Sequence, residues 1–224
     1  MVYLLLFFMT LSLISLIYFT YKPFKNLRPI LKTVTSLLFI GICINGYSSS
    51  NNFTYFILIL IGLIFSLFGD IFLIFENGSK NSMDNAFIHG LLSFSIAHIF
   101  FSLCFVSITS LTVYDILFTA ILSIGSLSIL KSIKNFDFKG VFIYIAFYAV
   151  LISFMFIKSI SLYLVGFNNF GVFLVIIGAL LFIVSDLILS FVYFYRDCPK
   201  FMAGLNLLVY YIAQCCIALS VSYM

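Results

Sequence analysis

At 224 residues the chain is 64% hydrophobic and 8% charged, with a mean hydropathy of +1.27. A soluble domain carries roughly 25% charge, so composition excludes a globule covered by water, and the solvent must be lipid. The net charge of +4 is small and scattered, which excludes a nucleic-acid partner.

A helix crosses the hydrocarbon with about 20 apolar residues, in a range of about 17–25. In chain order the qualifying stretches are Val2–Thr20, Leu31–Tyr47, Phe53–Phe75, Phe87–Val106, Tyr114–Leu130, Val141–Ile157, Phe170–Phe191 and Ala203–Tyr223. Polar, turn-rich breaks separate them, such as Ser48-Ser49-Ser50-Asn51-Asn52 and Glu76-Asn77-Gly78-Ser79-Lys80. The breaks leave no room for a soluble domain. Backbone groups must satisfy one another in lipid, so the spans are expected to be helices. The reading is all-α: a polytopic membrane bundle of about eight transmembrane helices, forming a single integral membrane domain over residues 1–224.

Ten of the eleven Lys and Arg residues fall in the connections 1–2, 3–4, 5–6 and 7–8, and only Lys158 falls on the opposite side. The positive-inside rule assigns the basic side to the cytoplasm and both termini to the non-cytoplasmic side. The first span has its positive charges after it, the reverse of a signal peptide, so it is expected to be retained. The sequence does not distinguish a bacterial inner membrane from the endoplasmic reticulum. Cys43, Cys104, Cys215 and Cys216 lie in apolar runs and Cys198 in a loop, a spacing that indicates neither disulfides nor a zinc site.

Spans 3 and 7 resemble each other. Gly62 precedes Asp70 by eight positions, Gly178 precedes Asp186 by eight, and a small residue stands before each Asp. The offset is 116 residues, and Ala97 and Ala213 in the next spans keep it. The reading is two four-helix halves, 1–106 and 107–224, in parallel about an axis along the membrane normal.

Of the seven acids, Glu76, Asp84, Asp115, Asp137 and Asp197 are read as lying in loops or at span ends, and Asp70 and Asp186 as the two inside spans. Each of those two is five residues from its predicted cytoplasmic end, roughly 7–8 Å deep. Buried carboxyls in lipid cost a few kcal/mol and face the bundle interior. Two sharing one site can divide into acid and base, so Asp70 and Asp186 are the expected catalytic pair. His89 and His98 both lie in span 4, and their nine-residue separation is read as about a quarter turn. Tyr144, Tyr148, Tyr210, Tyr211 and Gln214 are further polar candidates. No HExxH spacing suggests a metal, no GxSxG elbow suggests a serine hydrolase, and no cofactor is expected.

Gly69-Asp70, His89-Gly90-Leu91-Leu92-x-Phe94-x-x-x-His98, Tyr148 with Met155, Phe182-x-x-Ser185-Asp186-Leu187 and Tyr210-Tyr211-x-Ala213-Gln214-x-x-Ile217-Ala218 resemble the YhhN-like, or transmembrane protein 86, family. The resemblance runs from about Lys32 to Ser220. Its characterised members are lysoplasmalogenases, which hydrolyse the vinyl ether of lysoplasmalogens to a fatty aldehyde and a glycerophospho-base. It implies that Asp70 and Asp186 are catalytic and that Lys32, His89, His98, Tyr148 and Gln214 bind substrate, a lysophospholipid within the bilayer. Thr33, Phe101 and Val192 depart from the family pattern. The alternative is a non-catalytic lipid-binding protein or a proton-coupled small-molecule transporter, to which a parallel repeat with paired carboxyls is equally suited.

Overall fold

The structure is a computed structural model that describes residues 1–22, 26–50, 52–76 and 83–224. Among the described residues there are eight α-helices: α1 Val2–Thr20, α2 Leu27–Tyr47, α3 Phe53–Ile74, α4 Asn85–Ile108, α5 Val113–Ser132, α6 Phe142–Leu164, α7 Phe170–Phe194 and α8 Phe201–Ser220. A 3₁₀ turn over Val221–Tyr223 follows α8. All eight helices are long and apolar enough to span a membrane.

Local chemistry sets the boundaries. Asn52, Asp84 and Asn169 accept from the third backbone N–H of α3, α4 and α7, and Thr112 with Asp115 forms a capping box at α5. Helix α2 starts four residues before the predicted Leu31, because Pro29 sits in its first turn, where no backbone donor is needed. Helix α6 runs seven residues beyond the predicted Ile157 and carries Lys158 into the bundle. There Lys158, 0% exposed, pairs with Asp115 at 3.1 Å and donates to the Ser110 carbonyl at 2.6 Å. Ser161 donates to the same carboxylate at 2.6 Å. Asp115 stands at the start of α5, the span end where it was expected. It is 1% exposed, its burial compensated by the ammonium that sequence placed outside.

Helix pairs α3/α4 and α7/α8 pack along their whole lengths. Small residues let the backbones approach. A Cβ on Gly62 would meet the Phe101 ring at 2.3 Å, and one on Gly178 would meet Ile217 at 2.8 Å. Phe101 and Ile217 are themselves 116 positions apart. Three further pairs of neighbours repeat four helices on: α1/α2 and α5/α6, α2/α3 and α6/α7, α8/α2 and α4/α6, while the α3/α8 contact has no counterpart between α7 and α4 among the described residues. The outer helices break this pattern. Helix α1 also touches α8, through Tyr21, whose hydroxyl donates to the Phe201 carbonyl at 3.1 Å and accepts from Gly204 N–H at 2.9 Å. Among the described helices, α5 packs along α6 alone. The connection after α5 docks beneath α7, with Asp137 N–H donating to the Phe194 carbonyl at 2.9 Å.

Candidate functional site

Helix α3 carries Asp70 one turn from its C-terminal end, and side chains from α2 and α8 converge on it. Lys32 Nζ lies 3.1 Å from Oδ1, Ser36 Oγ donates to Oδ2 at 2.7 Å, and the Tyr210 hydroxyl donates to Oδ2 at 2.8 Å. Lys32 and Ser36 are one helical turn apart, so both face α3. Tyr211 ties this group together, donating to the Lys32 carbonyl at 3.0 Å and lying 3.1 Å from Ser36 Oγ. Gln214 Nε2 donates to the Tyr210 hydroxyl at 3.1 Å. Asp70 is 2% exposed. A charge so buried costs several kcal/mol unless it is paired and hydrogen-bonded, and here an ammonium and two hydroxyls do both.

Asp186, on α7, has different company. The Tyr148 hydroxyl from α6 is hydrogen-bonded to its Oδ2. Behind Tyr148 stands His98 of α4, with Nε2 at 2.9 Å from the hydroxyl and Nδ1 at 3.1 Å from Met155 Sδ. Among the described residues no cation pairs with Asp186. The neighbouring Ser185 is fixed from α8 by Asn206 Nδ2, at 2.8 Å to its carbonyl and 3.0 Å to its hydroxyl. Lys32 and Tyr148, which hold the two carboxyls, are separated by the same 116 residues as Asp70 and Asp186.

The two carboxyls line one cavity of about 530 Å³. Lys22, Arg28 and Lys32 bring three cations to its wall, at the membrane face where α1 joins α2, Glu76 just past the end of α3 adds a third carboxyl, and Asn206, Ser185 and Tyr210 lie along its α7/α8 side. A second chamber of about 150 Å³ lies between α4, α5, α6 and α7, with almost wholly apolar walls that include Leu91, Leu127, Ala149 and Ile183. Asp186, Phe94, Leu73, Leu189 and Tyr193 border both spaces. Tyr148 borders only the apolar one. The arrangement is a polar vestibule lined by charges of both signs and a hydrocarbon-lined chamber, with a carboxyl at their junction.

Several expectations change. His89 is exposed on α4, with its ring 5.6 Å from Phe72, and does not join the other site residues. Nine residues at 3.6 per turn are two and a half turns, so His89 and His98 face opposite ways, not a quarter turn apart. His98 and Gln214, both 0% exposed, stand behind the cavity wall as the partners of Tyr148 and Tyr210. Tyr144, 42% exposed, lies on the outer surface. Asp186 is eight residues from the end of α7, against four for Asp70 in α3, because α7 continues to Phe194. Counted from the other ends, the two are 17 and 16 residues in, about 25 Å each, so their depths agree from that side. Phe101 fills the space above Gly62, Thr33 turns its hydroxyl back to the Pro29 carbonyl at 3.1 Å, and Val192 lines the vestibule. Ser36 and Asn206 were not anticipated. Ser36 had a legible signal, standing one turn beyond Lys32, and Asn206 is a lone amide near the start of the last span.

Over 165 residues the chain is 33% identical to lysoplasmalogenase TMEM86A of Homo sapiens, and equally to that of Bos taurus. Each match covers 72% of this chain and 64% of the relative, so the chain spans less than two thirds of the relatives' length. No solved structure matches it. The YhhN family profile matches residues 27–221, which include Lys32, Ser36, Asp70, His98, Tyr148, Asp186, Asn206, Tyr210 and Gln214. The chain belongs to the YhhN family.

Proposed function

We propose that this protein is a membrane hydrolase that cleaves the vinyl ether of lysoplasmalogens, releasing a fatty aldehyde and a glycerophospho-base, with Asp70 and Asp186 as the acid/base pair. One observation carries the reading: Asp70 and Asp186 share a polar cavity that bears Lys22, Arg28 and Lys32 on its wall and meets an apolar chamber at Asp186. A lysophospholipid has the matching polarity. Its phosphate fits the wall of Lys22, Arg28 and Lys32, its single chain fits the apolar chamber, and its vinyl ether lies between them. The relatives' name, lysoplasmalogenase, supports the same chemistry.

Vinyl ether hydrolysis starts with proton transfer to carbon and passes through an oxocarbenium ion. A carboxylic acid supplies the proton and a carboxylate stabilises the cation and the water that attacks it. Tyr148, Tyr210, Lys32 and Ser36 fix the two carboxyls, so little reorganisation is needed at the moment of reaction. His98 and Gln214 position those tyrosines. We place the vestibule on the cytoplasmic face from the distribution of Lys and Arg, with both termini opposite. We also read 1–106 and 107–224 as parallel halves, supported by the repeating helix neighbours and the matched Gly62/Phe101 and Gly178/Ile217 contacts.

The test is aldehyde release from a lysoplasmalogen by detergent-purified protein, measured with a coupled dehydrogenase. Asp70→Asn and Asp186→Asn should each abolish turnover while the protein still expresses and melts cooperatively. Turnover close to wild type in either variant refutes the pair, and no release by the wild type under any head group refutes the reaction.

A further inference from the structure

The Tyr148 hydroxyl has one proton and two partners, Asp186 Oδ2 and His98 Nε2. His98 in turn has two partners, the Tyr148 hydroxyl and Met155 Sδ, the latter 3.1 Å from Nδ1. Counting donors along this chain locates the protons. A thioether carries no proton and can only accept. Nδ1 must therefore hold the hydrogen that points at Met155, since a bare Nδ1 would set its lone pair against those of sulfur.

The ring cannot hold a second proton cheaply. His98 is 0% exposed and enclosed by Phe101, Tyr148 and Phe182, with ring centroids at 6.2, 5.2 and 4.7 Å. No carboxylate touches it among the described residues. An imidazolium there would be an unpaired buried charge, at a cost of several kcal/mol. The ring is neutral, and Nε2 is an acceptor. The Tyr148 proton is then committed to Nε2. The contact between Tyr148 and Asp186 is a hydrogen bond only when the carboxyl supplies the hydrogen.

On the vinyl ether reading of the cavity, we infer that Asp186 is the proton donor of the pair, kept neutral at rest by a one-way hydrogen-bond chain from Asp186 through Tyr148 and His98 to Met155. Asp70, facing the Lys32 ammonium, is the carboxylate. Met155 is a positioning residue, since its sulfur selects the His98 tautomer. In the reaction Asp186 passes its proton to the vinyl carbon that bears no oxygen. The alkene electron pair forms that C–H bond and leaves an oxocarbenium ion facing Asp70. Water then adds to the carbon bearing oxygen and returns a proton to Asp186. Collapse of the hemiacetal breaks the C–O bond, the hydroxyl proton ending on the glycerol oxygen. One water is consumed and the acid is restored.

The test reads proton positions rather than turnover. The chain has two histidines. With 15N-labelled histidine in detergent, the His89 signals are identified by their loss in His89→Gln, leaving those of His98. Protonated Nδ1 with bare Nε2 is the expected result, and a proton on Nε2, alone or on both nitrogens, overturns the inference. Infrared spectra should show the carbonyl stretch of a neutral carboxyl that disappears in Asp186→Asn and persists in Asp70→Asn. A band that persists in Asp186→Asn also overturns it. Met155→Leu keeps the volume and removes the acceptor. It should move the His98 proton to Nε2, erase the neutral-carboxyl band and lower kcat by about tenfold or more with KM little changed. An unaltered spectrum and kcat in Met155→Leu would refute the role of the sulfur. Failure of aldehyde release alongside the expected spectra defeats the vinyl ether reading alone, whereas reversed spectra in an active enzyme defeat the proton order alone.

Discussion

Replacing Lys32 with methionine isolates the charge that holds Asp70. The side chain keeps its length and apolar stem but loses an ammonium 3.1 Å from Oδ1. Both side chains are mostly buried, at 11% and 2% exposure, so solvent screens the pair only weakly. Removing one partner of a buried pair costs about 3–5 kcal/mol. Ser36 and Tyr210 still donate to Oδ2, which favours the lower end, about 3 kcal/mol. At about 2–4 °C per kcal/mol for a chain of this size, Lys32→Met should melt roughly 6–12 °C below wild type in detergent. Asp70→Asn should fall less, because an amide oxygen still accepts from one of the hydroxyls and Lys32 reaches into the vestibule. The double variant Lys32→Met with Asp70→Asn removes both charges and should recover most of the melting temperature lost in Lys32→Met, while turnover stays absent. Scanning fluorimetry on the four proteins measures the coupling. A Lys32→Met melting temperature equal to wild type, or a double variant whose loss is the sum of the singles, would refute the claim that this ammonium compensates a buried carboxylate.

Ala149→Phe projects a ring into the apolar chamber, so kcat/KM for long-chain substrates should fall at least about tenfold more than for short-chain ones; an equal fall across chain lengths would remove the chamber from chain binding. Asp115→Asn leaves Lys158 buried without its carboxylate and should lower stability by about 3 kcal/mol, read as a lower melting temperature with turnover per folded molecule unchanged. Gly62→Ala forces a Cβ to within 2.3 Å of the Phe101 ring, whereas Gly178→Ala meets Ile217 at 2.8 Å. Both should destabilise by about 1–3 kcal/mol, Gly62→Ala the more strongly, and a neutral result at Gly62 would contradict the close approach of α3 and α4.

The spans were legible because twenty apolar residues in a row have few other physical interpretations, and the observed helices differ from them mainly at their ends. The ends went wrong where charge was involved. Lys158 reads as a loop residue until Asp115 is known to face it, and their pairing across α5 and α6 is a tertiary fact. Asp70 and Asp186 stood out by the cost of placing a carboxyl in lipid, and the 116-residue offset suggested their equal depth. What distinguishes them was hidden, because Tyr210 and Met155 are visible as residues of the spans but which carboxyl each one serves is set only by helix packing. His89 misled for the opposite reason: its identity matched a motif, but its angular position on α4 turns it away from the cavity.

The offset that relates Asp70 to Asp186 also relates Lys32 to Tyr148 and His98 to Gln214. A homodimer of a single four-helix unit would surround its two carboxyls with identical neighbours, because a twofold axis permits nothing else. Both would face an ammonium, or both a phenol, and they would compete for the same proton on equal terms. If, as we propose, 1–106 and 107–224 are parallel halves, placing them in one polypeptide removes that restriction. Substitutions can then accumulate on one side of the axis without being imposed on the other, and a lysine can stand where its counterpart is a tyrosine. On this reading, covalent fusion lets the sequence assign the proton to one particular carboxyl, where a symmetric pair would share it between equals.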